Sequence, residues 1–397
     1  MLERAWGPFL AFILIAGLFL RLPIWMTVAT SLAVIMVIAR QWQKHSLDNI
    51  IYHRRFHFTR GFPNERTSVR IEVENHKLLP ISWLKTMDPW AKPVAPVDES
   101  DLAPTFVLHN QVLLTNMYSL RWYERSQRSY ELLFRQRGLY PVGPLRLQSG
   151  DLFGMYDNIQ DIPNEEYLTV FPEILPLTAL KLRAEDPFGD RRARRRIFED
   201  PNQVIGVRDY HPEDGFRKVH WPATARTGVL QARIYQPVSS QMMVICLNVD
   251  TSAHFWEGVN LELLEQLIKV AATLVYQGME SGYAVGLISN GYLFHAGQPF
   301  RIPPGRNPAQ LARLLQTLAG LTPLTTSSFE QYLMKSTSSL PYGATLVIVT
   351  ALVTTELAET LVRLERYRKY MTLISLGKTP PPEIRGIQTI HLPFIVQ

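Results

Sequence analysis

Met242-Met243-Val244-Ile245-Cys246-Leu247-Asn248-Val249-Asp250-Thr251-Ser252-Ala253-His254 decides the architecture of the C-terminal half of this chain. Met242 to Val249 runs without polar alternation, as expected of a strand covered on both faces. Downstream, Leu261, Leu264, Leu267, Ile268, Ala271, Leu274 and Val275 mark the apolar face of a helix. Tyr283 to Ser289 reads as a second buried strand, Pro308 to Leu318 as a helix and Thr345 to Thr350 as a third strand. A helix over Thr354 to Tyr370 follows, with Thr354 or Thr355 as N-cap and Arg366, Arg368 and Lys369 favourably placed at its carboxyl end. Met371 to Leu376 closes the unit as a strand. Strands alternating with helices predict a doubly wound, mostly parallel α/β domain over 241–397.

Upstream the period changes. Val69, Ile71 and Val73 alternate with Arg70, Glu72 and Glu74, which predicts a strand with one buried face. Tyr130, Leu132 and Phe134 repeat the pattern, as do Leu145 and Leu147, and Tyr167 to Phe171 reads as a further strand. Pro and Gly punctuate the intervals, so 41–180 is expected to form an antiparallel, β-sandwich-like domain. Within it, Gly138 and Gly143 permit backbone angles closed to other residues, and Pro144 fixes the chain entering the next strand.

The N-terminal residues suggest a membrane. Ala5 to Leu20 and Leu22 to Ala39 are uncharged, separated by Arg21 and bounded by Arg4 and Arg40. Each run is slightly short of the roughly 20 residues of a spanning helix, a deficit that snorkelling arginines can make up. The expectation is a transmembrane helical hairpin over 1–40 in the cell membrane. Arg4, Arg40, Lys44, Arg54 and Arg55 outnumber Arg21, which places both termini and the soluble domains in the cytoplasm.

With 397 residues the chain has room for several domains, and its net charge of +6 suits an anionic surface. Arg191-Arg192-Ala193-Arg194-Arg195-Arg196 is the most basic run; no nucleic-acid module accompanies it, so no nucleic-acid partner is expected. The single cysteine, Cys246, excludes an internal disulfide and reads as a buried hydrophobe. No Walker A loop, G-x-S-x-G or C-x-x-C is present.

Between the two domains, residues 181–240 form a linker that contains Arg208-Asp209-Tyr210-His211-Pro212-Glu213-Asp214-Gly215-Phe216-Arg217-Lys218-Val219-His220-Trp221 and then Thr224-Ala225-Arg226. One reading is structural: Tyr210 and Trp221 pack as anchors while Asp209, Asp214, Arg208, Arg217 and Arg226 build an ion-pair web. The other is a docking face, since arginine and aromatic side chains dominate interface hot spots; its candidates are Arg208, Tyr210, Asp214, Arg217, Trp221 and Arg226. His211, Asp214 and His220 match no close metal-ligand spacing.

This segment resembles the signature of the prokaryotic DUF58 family, roughly R-x-Y-x-x-G-D-x-x-R-x-I-x-W-x-x-T-A-R. Glu213 stands where the family has Gly, and Gly215 follows Asp214, so the turn is shifted by one position. Arg137-Gly138-Leu139-Tyr140-Pro141-Val142-Gly143-Pro144, followed by Asp151-Leu152-Phe153-Gly154, is similar to a second element of that family. The resemblance implies a von Willebrand factor A-like fold for the C-terminal domain. Such domains carry a metal-ion-dependent adhesion site, D-x-S-x-S, with a Thr and an Asp from later loops. Asp250 and Ser252 match its first two ligands, whereas His254 replaces the second serine. Thr322, Thr325 or Thr326 can supply the threonine, but Ala351-Leu352-Val353-Thr354 offers no Asp, so any Mg²⁺ is expected to be held weakly. The alternative is that Asp250 and Ser252 bond the backbone at the sheet edge.

The resemblance further implies a non-enzymatic, membrane-anchored adaptor on the cytoplasmic face, acting with a MoxR-type AAA+ ATPase to remodel or assemble a client protein. A cation-dependent binding module, a hydrolase and a nucleic-acid binder are the alternatives.

Overall fold

The computed structural model of the chain describes residues 23–104, 110–154, 156–163, 165–176, 198–238, 242–252, 255–293, 299–325, 327–338, 340, 344–366, 370–377 and 379–393. They fall into two compact units, Met1–Val170 and Phe171–Gln397.

In the first unit, helix α1 (Pro23–His45) precedes strands β1 (Ile50–Phe56), β2 (Arg60–Gly61), β3 (Arg66–Asn75), β4 (Ile81–Ala91), β5 (Leu102–Pro104), β6 (Gln111–Leu120), β7 (Arg125–Leu133), β8 (Gly138–Val142), β9 (Leu145–Gly150), β10 (Asp157–Ile162) and β11 (Glu166–Val170). Three sheets result, with orders β1-β3-β7, β10-β9-β4-β6-β5 and β2-β11-β8. The strand pairs are antiparallel except β2 with β11. Val69, Ile71 and Val73 point inward from β3 and join Leu84, Trp90, Leu114, Leu132, Leu145 and Leu147 in one core. Glu72 departs from the expected solvent-facing role. Its side chain is 1% exposed and is held by Arg55 at 2.9 Å and by Arg125.

The same unit buries an ion pair. Arg54 Nε and Nη2 donate to Asp88 Oδ2 and Oδ1 at 2.8 and 2.7 Å, and the two side chains are 0% and 1% exposed. Tyr52 Oη (3.2 Å) and Trp90 Nε1 (3.1 Å) complete the carboxylate's shell. Burial is the largest single influence and opposes the Arg54 charge, but the bond to Asp88, the Asp88 charge and the nearby Tyr52 and Glu166 together outweigh it and hold the guanidinium above its ordinary value. Elsewhere Gly143 adopts φ 107°, which a side chain would disfavour, and leads into a cis Gly143–Pro144 bond. Buried Asp151 accepts from the Phe153 and Tyr156 backbone N–H groups at 2.9 and 2.7 Å, so the D-x-F-G element is a side-chain-closed turn. Lys77 Nζ donates to the carbonyls of His45, Ser46 and Asp48 at 2.5, 2.6 and 2.8 Å, closing the carboxyl end of α1.

The expected transmembrane hairpin, and with it the multi-pass membrane placement, is overturned. Among the described residues no helix is long and apolar enough to cross a membrane. The run from Ala5 to Leu20 lies outside them. The second run forms α1, but its uncharged part, Pro23 to Ala39, ends at Arg40 and gives way to Gln41, Gln43, Lys44 and His45. That falls short of the about 20 apolar residues a span requires. Thr27, Thr30 and Ser31 also place hydroxyls within it, each bonded back to a carbonyl of the preceding turn. The predicted multidomain mix of helix and strand is corrected in its proportions too: strands in several sheets predominate over six α-helices among the described residues.

The second unit begins with a two-stranded ribbon, β12 (Phe198–Asp209) against β13 (Gln231–Val238), joined through the short helix α2 (Trp221–Thr227). It continues through β14 (Met242–Leu247), α3 (Leu261–Glu280), β15 (Ala284–Leu293), β16 (Pro299–Gly305), α4 (Pro308–Ala319), β17 (Leu321–Thr325), α5 (Phe329–Thr337), β18 (Thr345–Thr350), α6 (Thr355–Arg366), β19 (Tyr370–Ser375) and β20 (Gln388–His391). The sheet order is β16-β15-β14-β18-β19-β20, with β17 beside β15. The run from β15 to β20 is parallel, and β16 and β17 add antiparallel to β15. Central strands buried on both faces explain the unbroken apolar runs. The helices start where side chains cap them: Asn260, Asn307 and Thr354 accept from Leu263, Ala309 and Leu357 N–H groups. Cys246 is buried in β14, where burial pushes its thiol up to about 12, out of reach of nucleophilic chemistry.

Candidate functional site

Two places in the second unit gather the residues singled out by sequence. The first is the tip of the ribbon. Tyr210 N donates to Leu230 O at 2.9 Å and His220 N to Gln231 O at 2.8 Å, so the excursion from 210 to 230 is pinned at its base. Arg208 Nη2 meets Asp214 Oδ1 at 2.5 Å, while Asp214 Oδ2 accepts from His211 N at 3.0 Å. The His211 N–H and then the Arg208 guanidinium hold the Asp214 carboxyl below its ordinary range. Gly215, at φ 69°, makes the left-handed turn that follows, a conformation suited to glycine. His220 Nδ1 accepts from Ala223 N at 3.1 Å and caps α2, leaving the imidazole proton on Nε2. Thr224 links both ends, donating to His220 O and accepting from Gln231 N at 3.1 and 3.0 Å. Gln231 Nε2 in turn holds Asp209 at 2.7 Å.

This braced loop differs from the predicted web. Of Arg208, Asp209, Asp214, Arg217 and Arg226, only Arg208 and Asp214 pair; among the described residues neither Arg217 nor Arg226 pairs with a carboxylate. Tyr210 does pack, against Phe216, with ring centroids 5.9 Å apart. Trp221 is no anchor: it is 60% exposed and Phe216 is 70% exposed, with Val229 and Leu230 also open to solvent. Phe216 went unnoticed in the sequence because its spacing from Tyr210 means nothing until the turn at Gly215 is made. The arginines over 191–196 lie outside the described residues.

The second place is the carboxyl edge of the parallel sheet. Asn248 Nδ2 reaches Thr350 Oγ1 across the strands at 3.2 Å, and Asn248 Oδ1 accepts from Asp250 N at 3.1 Å. Asn290 donates to Asn248 Oδ1 and to Asp250 Oδ2 at 3.1 and 2.9 Å. Burial pushes the Asp250 carboxyl above the ordinary aspartate range; Asn290 and Thr325 hydrogen bonds oppose that shift and the Glu330 carboxylate adds to it. Glu330 itself accepts from Thr354 Oγ1 at 3.2 Å. Ser252 Oγ donates to Gly258 O at 2.6 Å, and Thr251 accepts from Asn260 N at 2.9 Å, so this loop fixes the start of α3.

Thr325 is thus the threonine that reaches Asp250. Thr322 bonds Tyr292 O at 3.0 Å instead, while Thr326 and His254 lie outside the described residues. A second carboxylate, absent from the loop after β18, comes from Glu330 in the first turn of α5. Thr325 hydrogen-bonds Asp250 and the Glu330 charge acts on it, whereas the Ser252 hydroxyl is taken by Gly258 O; these side chains are all oxygen donors, the type hard divalent cations accept. Among the described residues no cluster of three or more His, Cys, Asp or Glu suits a metal. Asn248, Asn290 and Glu330 escaped sequence reading because only strand pairing and helix placement bring them to Asp250.

Comparisons with solved structures give low likeness. The CARDB domain of the Pyrococcus furiosus PF1109 protein aligns at TM-score 0.19 and 10% identity, over 28% of this chain and 89% of that one. A cohesin module from a Clostridium perfringens family 33 glycoside hydrolase aligns at 0.22 and 11%, over 30% and 96%. Neither value carries an argument about this chain. The curated relative is the uncharacterized protein YeaD of Bacillus subtilis, 23% identical over 171 residues, which are 43% of this chain and 41% of that protein. The chain therefore spans less than half of its relative. Residues 206–378, which hold both the ribbon tip and the sheet edge, match the family described as Protein of unknown function DUF58.

Proposed function

We propose that this chain is a non-enzymatic protein-interaction adaptor whose docking face is the ribbon tip, acting with a MoxR-type AAA+ ATPase on a client protein. One observation carries the reading: Phe216 and Trp221 stand exposed near Arg217 and Arg226, which pair with no carboxylate among the described residues, on a loop whose own hydrogen bonds already fix its shape. A preorganised loop loses little conformational freedom on binding, and aromatic and arginine side chains give the largest gain on burial. The ATPase is the partner class that the DUF58 resemblance implies. The test is affinity capture of the full chain from its native cells with a non-hydrolysable ATP analogue. The expected result is a near-stoichiometric AAA+ ATPase that disappears with Arg217→Ala or Trp221→Ala. Capture without any ATPase, from folded protein, sinks this function.

A second reading, a cation-dependent binding module, is favoured by Glu330. Two carboxylates converging on one sheet edge repel each other, and a divalent cation relieves that repulsion. In this reading Asp250 and Glu330 hold Mg²⁺ with Ser252 and Thr325, and the cation leaves a coordination position for a partner's carboxylate. Mg²⁺ is then expected to raise the melting temperature of the wild type and not of Asp250→Ala.

A further inference from the structure

The first unit contains a cleft of about 480 Å³, open to solvent and lined by Arg40, Gln43, Lys44, Tyr156 and Asn158. Its size falls within the roughly 300–1,000 Å³ of small-molecule sites. Arg40 and Lys44 are four residues apart on α1 and therefore share a face, an arrangement that like charges disfavour. Neither pairs with a carboxylate among the described residues. At the carboxyl end of α1 it is Lys77 that bonds the His45, Ser46 and Asp48 carbonyls, and no capping bond of Arg40 or Lys44 is found among the described residues. Arg40 lies over the ring of Tyr156, its Cζ 5.6 Å from the centroid. A guanidinium laid over a ring keeps its edge N–H groups available.

The cleft is also kept free of negative charge. Gln43 Nε2 donates to the Asp157 carbonyl at 2.6 Å, tying α1 to the start of β10. Strand alternation puts the Asp157 side chain on the face opposite Asn158, and Gln148 Nε2 bonds its carboxylate there at 2.9 Å. Tyr156 is held by its backbone N–H on Asp151, so the D-x-F-G turn positions the ring on which Arg40 rests. Among the described residues, two cations without a carboxylate partner and two amides thus line one opening, with no carboxylate.

We infer that this cleft binds a terminal-phosphate anion through Arg40 and Lys44, with Asn158 as a neutral donor. The same chemistry is presented by a soluble phosphate ester and by a phosphatidate headgroup. The test uses the full chain and two probes. Calorimetric titration with inorganic pyrophosphate reads the soluble form, and flotation with phosphatidic acid vesicles, against phosphatidylcholine vesicles, reads the lipid form. Arg40→Gln and Lys44→Gln are exposed helix substitutions and should leave the fold intact by circular dichroism; Arg70→Gln, on an exposed site of β3, controls for net charge.

The expected result is saturable binding near one equivalent that weakens about tenfold or more in each cleft variant and is unchanged in Arg70→Gln. Pyrophosphate binding without flotation assigns a soluble ligand. Flotation lost in the cleft variants and competed by pyrophosphate assigns the headgroup. Absence of both, or binding that all three variants weaken equally, overturns the site.

Discussion

Asp88→Ala tests the buried network of the first unit. The substitution removes the carboxylate that both Nε and Nη2 of Arg54 address, leaving a guanidinium with no exposed side-chain surface and only the weaker charge of Glu166 to balance it. It also strips Tyr52 Oη and Trp90 Nε1 of their acceptor. Breaking a buried pair from one side costs about 3–5 kcal/mol, against a total of about 5–15 kcal/mol for a domain. Removing both charges together, as Arg54→Met with Asp88→Leu, is expected to recover most of that loss, since desolvation of two ions is no longer required. Urea titration followed by hydrogen exchange, read on peptides from 50–170, separates this unit from the rest of the chain. A single-variant cost below about 1 kcal/mol would refute the reasoning, for it would mean that water reaches Arg54. A double variant as damaged as the single one would refute it differently, by showing that shape and not charge is at stake.

Three other outcomes follow. Because burial raises the Asp250 pKa, the folded state binds its proton more tightly than the unfolded chain does. Stability should therefore fall as pH rises from the unfolded value to the folded one, and Asp250→Asn should flatten that slope and raise the melting temperature at neutral pH in chelator. Asp214→Asn loses charge-assisted bonding from Arg208 and the His211 N–H, so amides over 210–220 should exchange faster and ATPase capture should weaken. Lys77→Met removes three bonds at and just past the end of α1, two of them exposed to water, and should cost about 1 kcal/mol in urea melts, with faster exchange over 41–48.

Periodicity made the regular parts legible. Val69, Ile71 and Val73 are buried, and β14, β18 and β19 fall within a residue or two of their apolar runs, because burial on both faces leaves a pattern that local sequence cannot hide; β15 runs on to Leu293, four residues past its expected end. Thr354 caps α6 because a hydroxyl before an amphipathic run has one good use. Glu72 was misjudged since alternation assigns a face but not what covers it. The membrane expectation failed on α1 because counting uncharged residues ignores the hydroxyls and the early polar turn that shorten the apolar length. At the sheet edge, Asp250 and Ser252 stood out by their spacing. Glu330 did not, because its approach depends on where α5 lands. At the ribbon tip the residues were legible, but exposure of Trp221 was not, since an aromatic beside charges fits a core or an interface equally well.

The central strand β14 sets an order of events during synthesis. Its register pairs Met243 with Val285 on one side and with Thr345 on the other. At ~5–20 residues per second the ribosome takes on the order of 5–20 s to travel from residue 243 to residue 345. Throughout that interval one edge of β14, carrying Val244, Ile245 and Cys246, waits for a neighbour that has not been made. The strands of the first unit all lie before residue 171 and are synthesised well before. The growing chain is thus most open to mispairing and to holdase chaperones after its β-rich half has folded, and premature termination before residue 345 yields a protein with half a sheet and an adhesive edge.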